Sequence, residues 1–335
     1  MERSPNPSAA AAGEDRLSSL PGDVIVLVLL RLDTAAAVRT SALCRRCRRV
    51  WALLPELRFH LASDGHRIRE ILDAPEALSL SCISVTTEGA GPESAAAWLS
   101  AAARRLSGDL VYHNMAAPTN DDEEEEAVGR GDVLLPCFEK ATSTELNLGF
   151  LGLALPSLGV FARLTELSLT CVHFHGPCEL GSAVSLPRFP LLKKLQVQDS
   201  RGLHNLSIHS ESLLQIMLKG LGSLRELTIV APILQKLQVE CSLSEDDQSE
   251  LVAKISAPQM VSLAWRDVYH PESVHILAIW DAFNSLVVSA SFFTVYGLQG
   301  DNQSCLSLLQ RFKVLDSLCL PLIWQVSAYL SVVEY

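Results

Sequence analysis

The most metal-like stretch of this 335-residue chain is Cys-Val-His-Phe-His-Gly-Pro-Cys, which sets Cys171, His173, His175 and Cys178 within eight residues. Thiolate and imidazole are ligands of tetrahedral zinc, and the alternation of an extended segment would put Cys171, His173 and His175 on one face. A structural zinc site usually draws paired ligands from two places. Neither a second Cys-x-x-Cys at zinc spacing nor a His-x-x-x-His accompanies this cluster, so it reads as loop histidines beside small apolar cysteines, with no metal expected. Cys44 and Cys47 have the letters of a redox pair, and the flanking arginines would lower a thiol pKa, but no thioredoxin-like strand precedes them. Arg45, Arg46, Arg48 and Arg49 concentrate positive charge without the aromatic platform of a nucleic-acid binder. The run Asn120 to Glu126 holds six successive carboxylates, which repel one another and lack the alternating ligands and glycine of a calcium loop. The sequence has no Gly-rich phosphate loop, nucleophile elbow or His-Glu-x-x-His, so no catalytic residue and no cofactor is expected.

The bulk composition agrees with that negative result. Hydrophobic residues make up 48% of the chain, charged residues 19%, and the formal net charge is -11. Such a chain can bury a continuous core, and its charge argues against a nucleic-acid partner. Nine cysteines, an odd number scattered from Cys44 to Cys319, do not form the even framework of a small secreted domain. The first fifteen residues lack the apolar core of a secretory signal and read as a disordered leader over residues 1–14. Reduced thiols in the cytoplasm and/or nucleus are the expectation. The apolar run from Val24 to Leu30 is too short to span a bilayer, and the longer one from Val274 to Leu298 is broken by His275, Asp281 and Asn284. No membrane partner is expected.

What positions the remaining side chains must then be read from local patterns. Val24 to Leu30 has no period, because every residue is apolar. Its flanks predict a helix: Pro21 suits a first turn, Asp23 sits where the helix dipole favours a carboxylate, and the run extends through Leu32. Asp33-Thr34 offers a second cap, and Cys-Arg-Arg-Cys-Arg-Arg-Val-Trp, ending at Trp51, forms a third short segment. Three helices in about 40 residues are too small a unit for a robust core of their own. An Ala-rich helix is expected around Glu93 to Leu106.

From Ala141 a different pattern takes over. Leu-x-x-Leu-x-Leu, with aliphatic substitutes, recurs at Leu164/Leu167/Leu169, Leu192/Leu195/Val197, Leu213/Ile216/Leu218, Leu234/Leu237/Val239 and Met260/Leu263/Trp265. The middle residues are spaced by 28, 21, 21 and 26 positions, the period of a repeat whose coils share one core. Two more triplets, Leu203/Leu206/Ile208 and Leu224/Leu227/Ile229, fall between them, which predicts a strand on each side of every coil. Leu146 and Leu148 suggest an earlier coil, 21 residues before Leu167.

These residues carry a resemblance. Asp15 to Phe59, with its Leu-Pro-x-Asp-Val opening, Arg-Thr-Ser and Arg-Arg-x-Arg-Arg-x-Trp, resembles the F-box of plant F-box proteins. The segments Leu135 to Pro156, Val160 to Leu169, Phe174 to Gly181, Ser207 to Ile216 and Ile255 to Trp265 resemble the leucine-rich region of grass F-box proteins. The resemblance implies an α+β chain: a small three-helix F-box over 15–60, a transition over 61–140 with an acidic loop near 119–131, and a β-solenoid-like leucine-rich-repeat horseshoe over 141–335. It further implies a non-catalytic subunit of a ubiquitin ligase complex of the Skp/cullin/F-box type, whose F-box docks a Skp-family adaptor, and through it a cullin, while the repeats bind a protein substrate. Adaptor binding then falls to Leu20, Pro21, Val24, Ile25, Leu29, Val38 and Leu43. The final sixteen residues depart from the family pattern, so the last repeats are expected to lack a complete cap. Cys44 and Cys47 stand where the family usually has Ser and Trp. Those losses are worth about 1 kcal/mol for a cap and up to about 3 kcal/mol for aromatic burial, and they leave open an alternative, a ligase-independent repeat scaffold with a degenerate F-box.

Strand alternation also predicts a recognition surface. If the leucines of each triplet face inward, the residues beside the middle leucine face outward and stack into rows. One row runs Glu166, Lys194, Gln215, Lys236 and Ser262; the next runs Ser168, Gln196, Met217, Gln238 and Ala264. Lysines and amides around a methionine suit a protein partner with an acidic rim.

Overall fold

The computed structural model of the chain describes residues 20–40, 50, 54–62, 64–73, 79–115, 131–156, 159–175, 179–185, 188–240, 251–265, 274–277, 295–296 and 322–323. Helix α1 (Gly22–Leu29) starts at Pro21, which occupies the cap position with extended backbone, and Asp23 lies in its first turn. Helix α2 (Thr34–Thr40) is capped by Asp33, whose Oδ1 accepts from the amide of Ala36 at 2.5 Å. The Thr34 hydroxyl accepts from the Arg58 amide at 2.6 Å, which ties this helical unit to the first strand of the sheet. The expected third helix lies outside the described residues, apart from Val50.

Nine strands then form one parallel sheet in the order β1-β2-β3-β5-β7-β8-β10-β12-β14. They are β1 (Glu56–Phe59), β2 (Leu80–Glu88), β3 (Leu106–Met115), β5 (Ser143–Asn147), β7 (Glu166–Thr170), β8 (Lys194–Gln198), β10 (Gln215–Lys219), β12 (Lys236–Glu240) and β14 (Ser262–Trp265). A second layer closes each coil. Behind β8 to β14 it is the four-stranded parallel sheet of β9 (Asn205–His209), β11 (Glu226–Val230), β13 (Val252–Ser256) and β15 (Val274–Leu277). Further toward the N-terminus the partner layer consists of helices α3 (Gly65–Leu72), α4 (Pro92–Arg105) and α5 (Glu179–Ser185), with the strand pair β4 (Asp132–Leu134) and β6 (Gly152–Ala154). The strand-on-each-side expectation therefore describes the coils from β8 onward and, through the short β4/β6 pair, those between β3 and β7, while helices back the others. Small pairs of residues at β16 (Val295–Tyr296) and β17 (Leu322–Ile323) complete the described strands.

The repeat architecture begins before Ala141. Residues 61–140, expected as a transition, supply β2 and β3 to the same sheet, and the Ala-rich segment is α4 as expected. Strand β2 carries the repeat triplet as buried Leu80/Ile83/Val85, whereas β3 spaces its inward residues as Leu106, Leu110 and Tyr112, one residue longer than the Leu-x-x-Leu-x-Leu pattern.

The core is a set of leucine ladders. Leu167, Leu195, Ile216, Leu237 and Leu263 are register partners on neighbouring strands, as are Leu169, Val197, Leu218 and Val239, and all are buried. No single coil could shield these side chains, so stacking supplies the stability. Trp98 of α4 meets Tyr112 of β3 edge to face at 5.2 Å, which seals the first coils. Buried Asn114 bridges them through four hydrogen bonds: its Oδ1 accepts from the Thr87 hydroxyl and the Ala90 amide, and its Nδ2 donates to the carbonyls of Ala90 and Leu148. After several strands the chain turns with positive φ, at Cys171, Asp199 and Gly220. Glycine is required at Gly202, where φ is 74° and a Cβ would stand 2.1 Å from the Phe174 carbonyl oxygen.

The coil around Leu146 is shifted from its expected register. Leu146 pairs with Leu169, and Thr144 pairs with Leu167, so the step is 23 residues and the middle position belongs to Thr144. Counting leucines misses it because the residue in that slot is polar.

Candidate functional site

Two surfaces of the described residues present side chains that the fold does not use. The first lies on α1. Ile25 and Leu29 turn into the core, 5% and 3% exposed, whereas Leu27 and Val28 are 63% and 49% exposed. Val24 is also exposed, so positions 24, 27 and 28 share one face of the helix at helical spacing, and exposed Leu32 follows just past the helix end. The expected adaptor residues differ in burial. Pro21 and Val24 are exposed and Leu20 and Val38 are half-buried, while Ile25 and Leu29 hold the helical unit together. Leu43 lies outside the described residues. Leu27, Val28 and Leu32 join the stripe; an unbroken apolar run carries no period that could single them out.

The second surface is the outward face of the nine-stranded sheet. Strand registers place Glu166, Lys194, Gln215, Lys236 and Ser262 in one row, and Ser168, Gln196, Met217, Gln238 and Ala264 in the next. The two predicted rows are brought together residue by residue. Around Met217 they enclose a shallow depression of about 130 Å³, lined by Lys194, Gln196, Gln215, Lys236 and Gln238 among others. Two side-chain amides point at the methionine: Nε2 of Gln196 and of Gln198 lie 3.5 and 3.4 Å from its sulfur. This holds a polarizable apolar group in the middle of a polar surface, with its amide neighbours already oriented.

The sheet face is also polarised. Asp109, Glu145 and Glu166 project from β3, β5 and β7; Lys194, Lys219 and Lys236 project from β8, β10 and β12, with Glu240 of β12 in register beside Lys219. The two halves meet where Lys194 Nζ lies 3.6 Å from Glu166 Oε2. On the acidic side His113 Nε2 lies 3.1 Å from Glu145 Oε1.

Within the Cys/His stretch the structure describes Cys171, His173 and His175, which lie at a strand end and in the segment after it. Cys171 has φ 50°, which breaks the extended alternation, and Val172 and Phe174 take the inward positions. His173 and His175 stack at 4.4 Å, and His175 Nδ1 lies 2.9 Å from Asp132 Oδ1. Burial pushes the His173 pKa below its ordinary value, and the neighbouring His175 and Arg201 push it further the same way. Burial likewise raises the thiol of Cys171, opposite to the shift that metal binding would need. Among the described residues no group of three His, Cys, Asp or Glu side chains could hold a metal ion. Cys178, the Cys44/Cys47 pair with its arginines, and the acidic run from Asn120 to Glu126 lie outside the described residues. No helix among the described residues is long and apolar enough to cross a membrane.

Parallel coils stacked on shared leucine ladders, fronted by a small helical unit with an exposed apolar stripe, define a leucine-rich-repeat solenoid with an N-terminal helical module. The family model described as "FBD-associated F-box protein At5g56370, LRR repeats" matches residues 95–288, and the F-box domain model matches residues 17–59. The chain belongs to the plant F-box/LRR-repeat family. It is 27% identical over 332 residues to the Arabidopsis thaliana F-box/FBD/LRR-repeat protein At4g03220, an alignment covering 91% of this chain and 61% of that relative. Shorter matches include the Arabidopsis thaliana F-box/LRR-repeat protein At3g03360, 40% identical over 22% of this chain and 16% of the relative. Another is the Arabidopsis thaliana F-box/FBD/LRR-repeat protein At5g53840, 46% identical over 16% of this chain and 12% of the relative. The chain thus spans less than two thirds of the length of these relatives. No solved structure matches it.

Proposed function

We propose that this chain is the non-catalytic substrate-recognition subunit of a ubiquitin ligase of the Skp/cullin/F-box type, working in the cytoplasm or nucleus. The observation that carries the reading is the division of one chain into two unpartnered surfaces. The stripe of Val24, Leu27 and Val28, continued by Leu32 just past the helix end, is apolar, and Ile25 and Leu29 pack its opposite side into the core, which suits a helix packing into a partner's groove. The sheet face around Met217 is polar with an apolar centre, the make-up of a protein-recognition surface. On this reading the stripe docks a Skp-family adaptor, the adaptor brings the cullin, and the face holds a protein for modification by other subunits. Membership of the F-box/LRR-repeat family supports the same division of labour.

The test is reconstitution of the full chain with a recombinant Skp-family adaptor and a cullin, followed by size-exclusion chromatography. Co-elution of the three, abolished by Leu27→Asp but unaffected by Met217→Asp, is the expected result. Persistent failure to co-elute with the adaptor would favour a ligase-independent scaffold.

A further inference from the structure

We infer that the sheet face takes an extended, charge-segregated peptide segment, cationic over β3 to β7 and acidic over β8 to β12, with an apolar side chain seated at Met217. This rests on the proposal that the face is the capture surface, and it specifies the chemistry of what is captured. The argument begins with the order of the charges. Three neighbouring strands each carry an outward carboxylate, Asp109, Glu145 and Glu166, and the next three each carry an outward lysine, Lys194, Lys219 and Lys236; the one outward carboxylate on these three strands, Glu240, pairs in register with Lys219 at the far end of the strands, away from the row of Lys194 and Lys236. Alternating signs would neutralise within the face; segregated signs leave two lobes of opposite potential. A uniformly anionic partner such as a nucleic acid would meet repulsion over the first half, and a uniformly cationic one over the second. A segment with one charged end of each sign fits both.

Dimensions fix its length. From β3 to β12 there are five inter-strand steps of about 4.8 Å, or about 24 Å in all, which about seven extended residues at about 3.3 Å each would cross. Within the basic half, Lys194 and Lys236 stand two strands apart on either side of the β10 row that holds Met217. The depression there is therefore apolar at its floor and cationic on both rims. It suits an apolar side chain with a carboxylate on each side. Gln196, Gln215 and Gln238 add donors and acceptors for the crossing backbone. Strand edges take no part, because the sheet pairs every one of these strands on both sides.

The experiment uses the full chain and a fluorescein-labelled peptide Lys-Ser-Lys-Ser-Glu-Leu-Glu, followed by fluorescence anisotropy. Its control is the isomer Lys-Glu-Ser-Leu-Lys-Glu-Ser, with the same composition but interleaved charges. The segregated peptide should bind at least about tenfold more tightly than the isomer, and Lys194→Glu with Lys236→Glu should weaken it about tenfold or more. The milder pair Lys194→Ala with Lys236→Ala should weaken it less, which guards against a folding defect in the reversed variant. Equal binding of the two isomers, or binding untouched by either lysine pair, would overturn the inference. A displayed library of seven-residue peptides, selected on the wild type and counter-selected on Met217→Asp, separates the two levels of the argument. Met217-dependent binders without charge segregation would overturn this inference and leave the capture surface standing. Binders indifferent to Met217→Asp would overturn both.

Discussion

Thr144 on β5 pairs in register with Leu167 on β7, so a hydroxyl occupies the buried core position that leucine fills one coil later. Its Oγ1 has no hydrogen-bond partner among the described residues. A buried, unpaired hydroxyl costs about 1 to 3 kcal/mol, and valine has nearly the same shape. Thr144→Val should therefore stabilise the chain by about 1 kcal/mol, seen as a higher urea midpoint with an unchanged slope.

Thr144 also marks how far the sequence can be read. The rows through Lys194 and Met217 were legible because Leu-x-x-Leu-x-Leu fixes both which side chains face inward and which neighbours share a register. The coil at Thr144 was not, since a polar residue in the leucine slot shifts the apparent step from 23 to 21. On α1 the limit is different. Every residue from Val24 to Leu30 is apolar, so Ile25 and Leu29 are separated from Leu27 and Val28 only by what packs behind the helix. Likewise β2 and β3 belong to the solenoid sheet: β2 carries the triplet in Leu80, Ile83 and Val85, while β3 hides it because its inward residues Leu106, Leu110 and Tyr112 are spaced one residue wider.

Asn114 should be among the most sensitive polar positions. Asn114→Ala would take the Asn114 side chain from the Ala90 amide and carbonyl, and would remove one partner each from the Thr87 hydroxyl and the Leu148 carbonyl, which keep Tyr112 and the Leu151 amide. The expected loss is about 3 kcal/mol, measured by urea unfolding, while Asn147→Ala, at a half-buried turn with one such bond, should lose about 1 kcal/mol.

The histidine pair gives a pH dependence with a definite sign. Folding lowers the His173 pKa below its ordinary 6.5, through burial first and then through His175 and Arg201. The unfolded chain then binds this proton more readily than the folded one. Stability from this group is intact above pH 6.5 and is lost as pH falls from there through the folded value. Asp132 offsets part of the effect by favouring the charged form. His173→Phe should flatten the fall in urea midpoint between about pH 7.5 and about pH 5. An equally steep fall in the variant would assign the dependence to other groups.

Helix α1 should divide cleanly into binding and folding positions. Leu27→Asp and Val28→Asp change exposed side chains and should shift stability by less than about 0.5 kcal/mol. Leu29→Ala removes a buried one and should cost about 2 to 4 kcal/mol. Thermal unfolding of the three variants followed by circular dichroism makes the comparison.

The central claim, that the α1 stripe docks an adaptor while the sheet face remains free for another protein, is tested most directly by isothermal titration of a recombinant Skp-family adaptor into the full chain. The account predicts saturable binding at a one-to-one ratio, abolished by Leu27→Asp with Val28→Asp, and unchanged by Lys194→Glu with Lys236→Glu. Binding that survives the α1 double variant with the fold intact, or an adaptor that does not bind the wild-type chain at all, would contradict it.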